Sequence, residues 1–219
     1  MISKQTLVFL KGLKKHNNKE WFDSNRSVYE QCRAEYQLFV GEILSGLKKI
    51  DPTLAELEAK KCMFRINRDI RFSKNKDPYK TNFGSYFSKG GKNIQCSGYY
   101  FHLEPGASFI AGGYWMPPSP DLKKIRSEID YCFDEFKMLM KAKSFRSSFD
   151  DLDREAVLSR PPQGYDIDNP ALEYLKLKSF TVTAPVGDEE LLHKDLVTKV
   201  VRHFEAMKPM IYFLNRSLD

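Results

Sequence analysis

Basic and hydrogen-bonding side chains are concentrated in residues 65–81, and their chemistry suits the binding of an anion. The guanidinium groups of Arg65 and Arg71 are always charged and can hold phosphate or carboxylate through two parallel hydrogen bonds. Pro78 favours a turn that brings Lys80 back beside these arginines. The sequence therefore predicts a site for a small molecule that carries a phosphate or carboxylate group.

The side chains around these bases suggest how such a ligand would be oriented. In a regular strand alternate residues share a face, so we expect four of them to lie together: Arg65, Asn67, Asp69 and Arg71. Asn67 and Thr81 would orient the ligand, and Asp69 is a weak candidate for an acid or base. The alternative is a solvated face on which Asp69 and Asp77 neutralise the arginines.

Arg68 falls on the other face of that predicted strand, with Phe64 and Ile66. A guanidinium among apolar side chains requires a carboxylate or several carbonyl acceptors, because an unpaired buried charge is very costly. We therefore favour a structural anchor for Arg68 over a ligand-binding role, which a bulge in the strand would allow.

His102 is the second candidate for chemistry, because Glu104 follows two residues later on the same face of a predicted strand. This pair could act as a general base and the carboxylate that orients it. A single histidine in a strand is more often a satisfied structural partner, so this catalytic role is the weaker interpretation. No histidine or cysteine spacing indicates a metal, and no glycine-rich phosphate loop indicates a cofactor.

The positive charge of the protein is local. The 219 residues carry a net charge of +6, yet residues 60–92 contain ten bases and two acids. Such a field attracts anions, and nucleic acid is an alternative partner because aromatic side chains are interleaved with the bases: Phe72, Tyr79, Phe83, Tyr86, Phe87 and Tyr100. A third possibility is a non-catalytic scaffold or partner-binding protein whose arginines form a structural network. The residues leave open whether any reaction is catalysed.

The surrounding pattern predicts an α+β fold in one domain over residues 1–219. Alternating polarity and turn residues predict an antiparallel sheet of four to five strands. It comprises a central meander over about 61–116, with strands at 61–67, 82–88, 97–104 and 107–115, and a further strand at about 179–186. Apolar residues at helical spacing predict long N-terminal, middle and C-terminal helices that cover mainly one face of the sheet.

The rest of the composition bears on compartment and partners. No apolar run approaches the roughly 18 residues that span a bilayer, so we expect no membrane association. The four cysteines lie apart, inside apolar stretches: Cys32, Cys62, Cys96 and Cys132. They are typical of small buried side chains in a reducing compartment, and we expect a cytoplasmic protein. No pattern indicates the oligomeric state.

Two stretches resemble the signature of a widespread microbial family of conserved hypothetical proteins, catalogued as a domain of unknown function. They are residues 65–73 (RINRDIRFS) and 78–84 (PYKTNFG), and residues 98–105 also resemble the family's pattern. The resemblance covers nearly the whole chain and implies a single-domain unit. It places the predicted site residues within the family's defining segment, and it implies no particular reaction or cofactor.

Overall fold

Four strands pair side by side in the order β1-β2-β3-β4 in a computed structural model that describes residues 1–92 and 94–218. All three pairings are antiparallel. The strands are β1 (Phe83–Phe87), β2 (Gly98–Leu103), β3 (Ser108–Tyr114) and β4 (Phe180–Val186). The predicted α+β fold with an antiparallel sheet is confirmed, and these four strands lie where the sequence predicted them.

The helices of the described residues precede, interrupt and follow the sheet. They are α1 (Lys4–Lys15), α2 (Lys19–Ser24), α3 (Arg26–Ile50), α4 (Ala59–Cys62), α5 (Ser119–Tyr131), α6 (Phe133–Lys141), α7 (Lys143–Arg146), α8 (Leu172–Leu175), α9 (Asp188–Leu191) and α10 (Leu196–Arg216). Helix α1 begins at Lys4 because the hydroxyl of Ser3 accepts a hydrogen bond from the amide of Thr6 at 3.2 Å, which satisfies one of its unpaired amide groups.

The two longest helices, α3 and α10, cover one face of the sheet. Phe39 of α3 packs edge-on against Phe101 of β2, with ring centroids 5.1 Å apart. Phe204 of α10 packs against Tyr99, the neighbouring residue of β2 on that face, at 5.2 Å. All four rings are buried, so this layer forms the centre of the core.

The opposite face of the sheet carries side chains whose burial ranges from buried Ala111, through half-buried Tyr86 and Tyr100, to exposed Thr183. The strand register places Tyr86 beside Tyr100, and Tyr100 beside Ala111. Ala111 in turn lies beside Thr183. These side chains form one row across all four strands, and we call this side the open face.

The predicted strand at 61–67 is wrong. Lys61 and Cys62 complete α4, and Met63 makes only an isolated bridge to Ser85 of β1. Because the chain is helical up to Cys62, buried and exposed residues do not alternate as expected for a strand that begins at residue 61. Met63 is therefore buried, whereas Phe64 is 38% exposed at the edge of the open face.

Residues 68–78 form a long turn instead of a strand. An isolated bridge joins Asn67 to Tyr79. On either side of it, the amide of Arg68 donates to the carbonyl of Pro78 at 2.9 Å, and the amide of Lys80 donates to Ile66 at 2.7 Å. The four residues expected on one strand face therefore do not share one, because no regular strand runs through them.

No helix in the described part of the chain is both long enough and apolar enough to cross a membrane.

Candidate functional site

The open face of the sheet carries a groove of about 490 Å³. Its floor comes from the strands, and its walls come from the segments beside β1 and β4. Aromatic and charged side chains together line it, among them Phe64, Lys92, Tyr100, Phe109, Trp115 and Asp153. A concave, largely apolar surface with a few polar groups is typical of a small-molecule site.

Small residues keep the floor of this groove low. Gly98 of β2 pairs with Gly113 of β3 on the open face. Gly113 has a φ of +113°, and a Cβ atom there would lie 1.9 Å from the carbonyl oxygen of Phe180. Glycine is therefore required at this position by both backbone conformation and space. The result is open volume above the middle strands.

Three side chains of β2 and its C-terminal end form a hydrogen-bonded chain beside the groove. The hydroxyl of Tyr100 lies 2.9 Å from Nδ1 of His102. On the other side of the ring, Nε2 of His102 lies 3.3 Å from Oε2 of Glu104. The spacing of two residues places all three on the open face, as the sequence predicted for His102 and Glu104.

Other elements hold Glu104 and His102 in place. Lys14 of α1 donates to Oε1 of Glu104 at 3.0 Å, and the hydroxyl of Thr81 donates to the same oxygen at 3.2 Å. The His102 ring stacks on Phe109 of β3 with centroids 4.5 Å apart and planes 9° apart. The imidazole therefore has a fixed position and orientation.

The protonation states of the chain follow from its surroundings. Burial lowers the pKa of His102 below its ordinary value, and Glu104 opposes only part of that shift. Burial acts to raise the pKa of Glu104, but hydrogen bonds from Lys14, His102 and Thr81 outweigh it and leave the pKa lowered. Burial, with the charge of Glu104, raises the pKa of Tyr100 to about 12. At neutral pH the carboxylate is ionised, the imidazole neutral and the phenol protonated.

These charge states fix the directions of the hydrogen bonds. Because ionised Glu104 can only accept, Nε2 of His102 carries the proton and donates. Nδ1 is then the acceptor, and the hydroxyl of Tyr100 donates to it. Both ring nitrogens of His102 are thereby engaged within the protein.

A cationic group lies against Phe64, which lines the groove, although Lys80 and Arg65 are not themselves lining residues. The ammonium of Lys80 is half-buried and sits over the Phe64 ring, 5.2 Å from its centroid. Burial lowers the pKa of Lys80, and the nearby charges of Arg65 and Lys92 lower it further. Among the residues that the structure describes, neither Lys80 nor Arg65 has a carboxylate within 4 Å.

Arg68 contacts its own turn. Its Nη1 donates to the carbonyl of Asp77 at 3.2 Å, and its Nη2 donates to the hydroxyl of Ser73 at 3.3 Å. The side chain is half-buried and thus ties the two halves of the 68–78 turn together. These contacts are those of a structural anchor.

Arg71 is engaged by a carboxylate. Its Nη2 lies 2.7 Å from Oδ2 of Asp69, and both side chains are exposed. For Arg71 and Asp69 the arrangement matches the alternative in which local acids neutralise the arginines, whereas the carboxylate of Asp77 accepts from Asn75. Asn67 is exposed and contributes its backbone to the bridge with Tyr79. The structure therefore brings Thr81 and His102 together through Glu104, and it places Arg71 and Asp69 in a separate turn.

Sequence reasoning named Tyr100 only as an aromatic side chain near the bases and counted Lys92 only as one of the bases of residues 60–92, and it missed Lys14 altogether. For Tyr100 a signal existed, because it precedes His102 by two residues on the same strand face. Lys14 carries no local signal, since it is 90 residues from Glu104 and meets it only through the packing of α1. In the described residues, no three His, Cys, Asp or Glu side chains group as a metal site.

Comparison with known proteins places the chain in a family. The family model described as "Conserved hypothetical protein (DUF2461)" matches residues 5–213. No curated protein and no solved structure matches the chain. Because the family model spans nearly all of the sequence, this chain belongs to the DUF2461 family of conserved hypothetical proteins.

Proposed function

We propose that this protein binds a small molecule carrying a phosphate or carboxylate group, with the anion held by Lys80 and Arg65 beside the Phe64 wall of the groove. The observation that carries the proposal is the state of Lys80. Its ammonium is half-buried, its charged neighbours are the cations Arg65 and Lys92, and no carboxylate within the described residues pairs with it. An anion bound here would compensate both the burial and the repulsion.

The groove beside this cluster supplies the rest of a binding site. Phe64, Phe109 and Trp115 give it aromatic walls, and Tyr100 gives it a hydroxyl. Apolar surface of this kind holds the body of a ligand, while one or two polar contacts fix its orientation. We therefore expect an organic anion to bind more tightly than inorganic phosphate.

The remaining predicted residues take supporting roles in this proposal. Thr81 positions Glu104 through its hydroxyl, and Arg68 holds the turn that precedes Lys80. Asn67 fixes the base of that turn through its backbone. Arg71 contributes to the positive field, and its guanidinium contacts Asp69.

The test is a thermal-shift and calorimetry panel of inorganic phosphate, a sugar phosphate, a nucleoside monophosphate and a dicarboxylate. We expect at least one organic anion to raise the Tm of the wild-type protein. Ligand at about 100 times its Kd adds roughly 2.7 kcal/mol to the free energy of unfolding. Lys80→Gln should abolish this rise.

Lys74→Gln is the matched control, because Lys74 is exposed and lies in the same basic segment. Both variants lose one positive charge, so a general field effect would weaken binding equally in the two. The proposal fails if no anion raises the Tm, or if Lys80→Gln responds as the wild type does.

One observation favours binding of single-stranded nucleic acid as a second candidate function. Phe72 is 96% exposed at the 68–78 turn, and the guanidinium of Arg71 lies 5.8 Å from its ring centroid. An exposed aromatic ring beside cations can stack on a base. We expect Phe72→Ala to weaken binding of an oligothymidylate, with an affinity that falls steeply with salt; salt-independent or undetectable binding would rule this function out.

The third alternative, a scaffold whose arginines are structural, predicts a different result. Arg68→Ala would then lower the Tm, because the 68–78 turn loses its two guanidinium contacts, while no small anion or oligonucleotide binds. An unchanged Tm in this variant would exclude the structural network.

A further inference from the structure

Tyr100 is the member of the hydrogen-bonded chain that faces the groove. It lines the cavity, whereas His102 and Glu104 are not among the lining residues. Its hydroxyl proton points to Nδ1 of His102, and this hydrogen bond does not use the lone pairs of the hydroxyl oxygen. A ligand hydroxyl or a water molecule in the groove could donate to this oxygen.

We propose that the groove hydrolyses an ester that carries a negative charge, and that Tyr100 is the catalytic residue that activates water through His102 and Glu104. This inference rests on the proposed function, because Lys80 and Arg65 would hold the anionic part of the substrate.

The proton movements balance without a further reactant. Water gives a proton to the oxygen of Tyr100 while the phenolic proton passes to Nδ1 of His102. The water oxygen bonds to the phosphorus or carbonyl carbon of the ester, and the bond to the leaving oxygen breaks. The imidazolium then returns its proton through Tyr100 to the leaving oxygen, so the products are an acid and an alcohol.

The surroundings of His102 suit the charged intermediate state. An imidazolium formed between Tyr100 and Glu104 would lie 3.3 Å from an ionised carboxylate, which stabilises it. Lys14 and Thr81 hold that carboxylate in place. Positioning by fixed donors and charges is the largest contribution that a protein makes to such a transfer.

Space for the Tyr100 hydroxyl depends on Gly84 of β1. A Cβ atom at Gly84 would lie 2.7 Å from the hydroxyl oxygen of Tyr100. The glycine therefore lets the phenol lie over β1 and still reach His102. We call Tyr100, His102 and Glu104 the relay. Contact with the relay explains why residue 84, in the 78–84 stretch, is a glycine.

The charged and titratable groups that face His102 can be assigned element by element. Tyr100 and Glu104 belong to its own strand and its end, and Lys14 of α1 reaches it through Glu104. From β3 it meets Phe109, which does not titrate. Next to β1 it meets the amide of Asn82, 3.4 Å from Nδ1. The pH dependence of the relay is thus set by His102 and Glu104.

The test combines turnover with binding. Two chromogenic substrates distinguish the ester chemistries: p-nitrophenyl phosphate and the p-nitrophenyl monoester of succinic acid. We expect the wild type to hydrolyse one of them. Tyr100→Phe and His102→Gln should each lower kcat/KM at least about 100-fold, which is the usual contribution of a general base. Phosphate binding by calorimetry should change less than about threefold in Tyr100→Phe, since the charges of Lys80 and Arg65 supply most of the attraction for the anion.

Glu104→Gln tests the positioning carboxylate through the pH profile. The wild-type rate should rise with pH as His102 loses its proton. Without the carboxylate the imidazolium is less stabilised, so the midpoint of this rise should move to lower pH. A purely structural role of Glu104 would lower the rate without moving the midpoint. Tyr131→Phe is the control, because Tyr131 is 91% exposed and far from this chain of contacts in sequence.

The possible failures are distinguishable. Anion binding at Lys80 without hydrolysis of either ester would overturn the relay and leave the proposed function standing. Equal turnover by wild type and Tyr100→Phe would also overturn it. Absence of both binding and turnover would overturn the two proposals together.

Discussion

The guanidinium of Arg71 and the carboxylate of Asp69 form a two-point ion pair, with Nε 2.9 Å from Oδ1 and Nη2 2.7 Å from Oδ2. Geometry of this kind is what an arginine uses to hold an external carboxylate or phosphate. Here the position is taken by a residue of the same turn. Of the three predicted anion contacts, Lys80 and Arg65 therefore remain in the proposal, and Arg71 does not.

We therefore expect Arg71→Ala to leave the binding of small anions nearly unchanged, because its charge is already compensated. The Tm should also stay constant, since exposed ion pairs contribute little to stability. Calorimetric titration of the best anion from the panel into wild type, Arg71→Ala and Lys80→Gln checks this. A loss of binding in Arg71→Ala as large as in Lys80→Gln would contradict it.

Asp51 is a buried carboxylate that joins three parts of the fold. It accepts hydrogen bonds from the hydroxyls of Tyr99 and Tyr212, each at 2.8 Å, and from the amide and hydroxyl of Thr53. Asp51→Asn cannot accept all of these bonds. We expect a loss of about 2 kcal/mol in the free energy of unfolding, the cost of buried polar groups left unpaired, measured by urea denaturation.

The same carboxylate predicts a pH dependence. Burial acts to raise the pKa of Asp51, but hydrogen bonds from Thr53, Tyr212 and Tyr99 outweigh it and leave the pKa below its ordinary value. As pH falls, Asp51 therefore takes up a proton in the unfolded chain before it does so in the folded protein. The stabilising contribution of the Asp51 carboxylate is complete above the unfolded pKa and is lost as pH falls through the folded pKa. Asp51→Asn should lose this part of the acid dependence, whereas Glu56→Gln, an exposed residue nearby, should keep it.

Gly84→Ala should disconnect Tyr100 from His102. The added methyl group would lie 2.7 Å from the phenol oxygen, so the ring must move, at a cost of about 1–3 kcal/mol. In ¹⁵N NMR, the chemical shift of His102 Nδ1 should change as it does in Tyr100→Phe, while Nε2 should remain protonated. In Gly41→Ala, a helical position with nothing within 4 Å, the His102 signals should be unchanged and stability should rise by about 0.5–1 kcal/mol.

Phe101 and Phe72 test where the core lies, because they are the same residue type with opposite burial. Phe101 is fully buried in β2, and Phe72 is 96% exposed. Phe101→Ala should lower the free energy of unfolding by about 3–5 kcal/mol, through lost burial and the cavity left behind. Phe72→Ala should change it by less than about 0.5 kcal/mol, and equal effects in denaturant titrations would refute this location of the core.

The four strands and the long helices were predictable because their signals are local. In β2 the order of Tyr99, Tyr100, Phe101 and His102 alternates between the core and the open face, as the period of a strand requires. The capping hydroxyl of Ser3 and the carboxylate cap of Asp51 act on amides two or three residues away. Signals that act over only two or three residues can be read directly from the sequence.

The segment 61–67 shows the limit of the same reasoning. An alternating pattern predicted a strand, but pairing depends on a neighbour, and only Met63 forms a bridge to β1. The turn after this segment is held by Arg68 and by the Asn67–Tyr79 bridge. These contacts depend on where Pro78 returns the chain, which periodicity does not specify.

The sequence by itself determined the fold class, the positions of the four observed strands, the local concentration of bases and the shared face of His102 and Glu104. Tertiary structure decided which charges meet. Lys14 reaches Glu104 across 90 residues, Arg71 turns to Asp69, and Lys80 lies over Phe64 near Arg65. The physical reason is that periodicity and turns report on neighbours along the chain, whereas the site is assembled by the packing of segments that are distant in sequence.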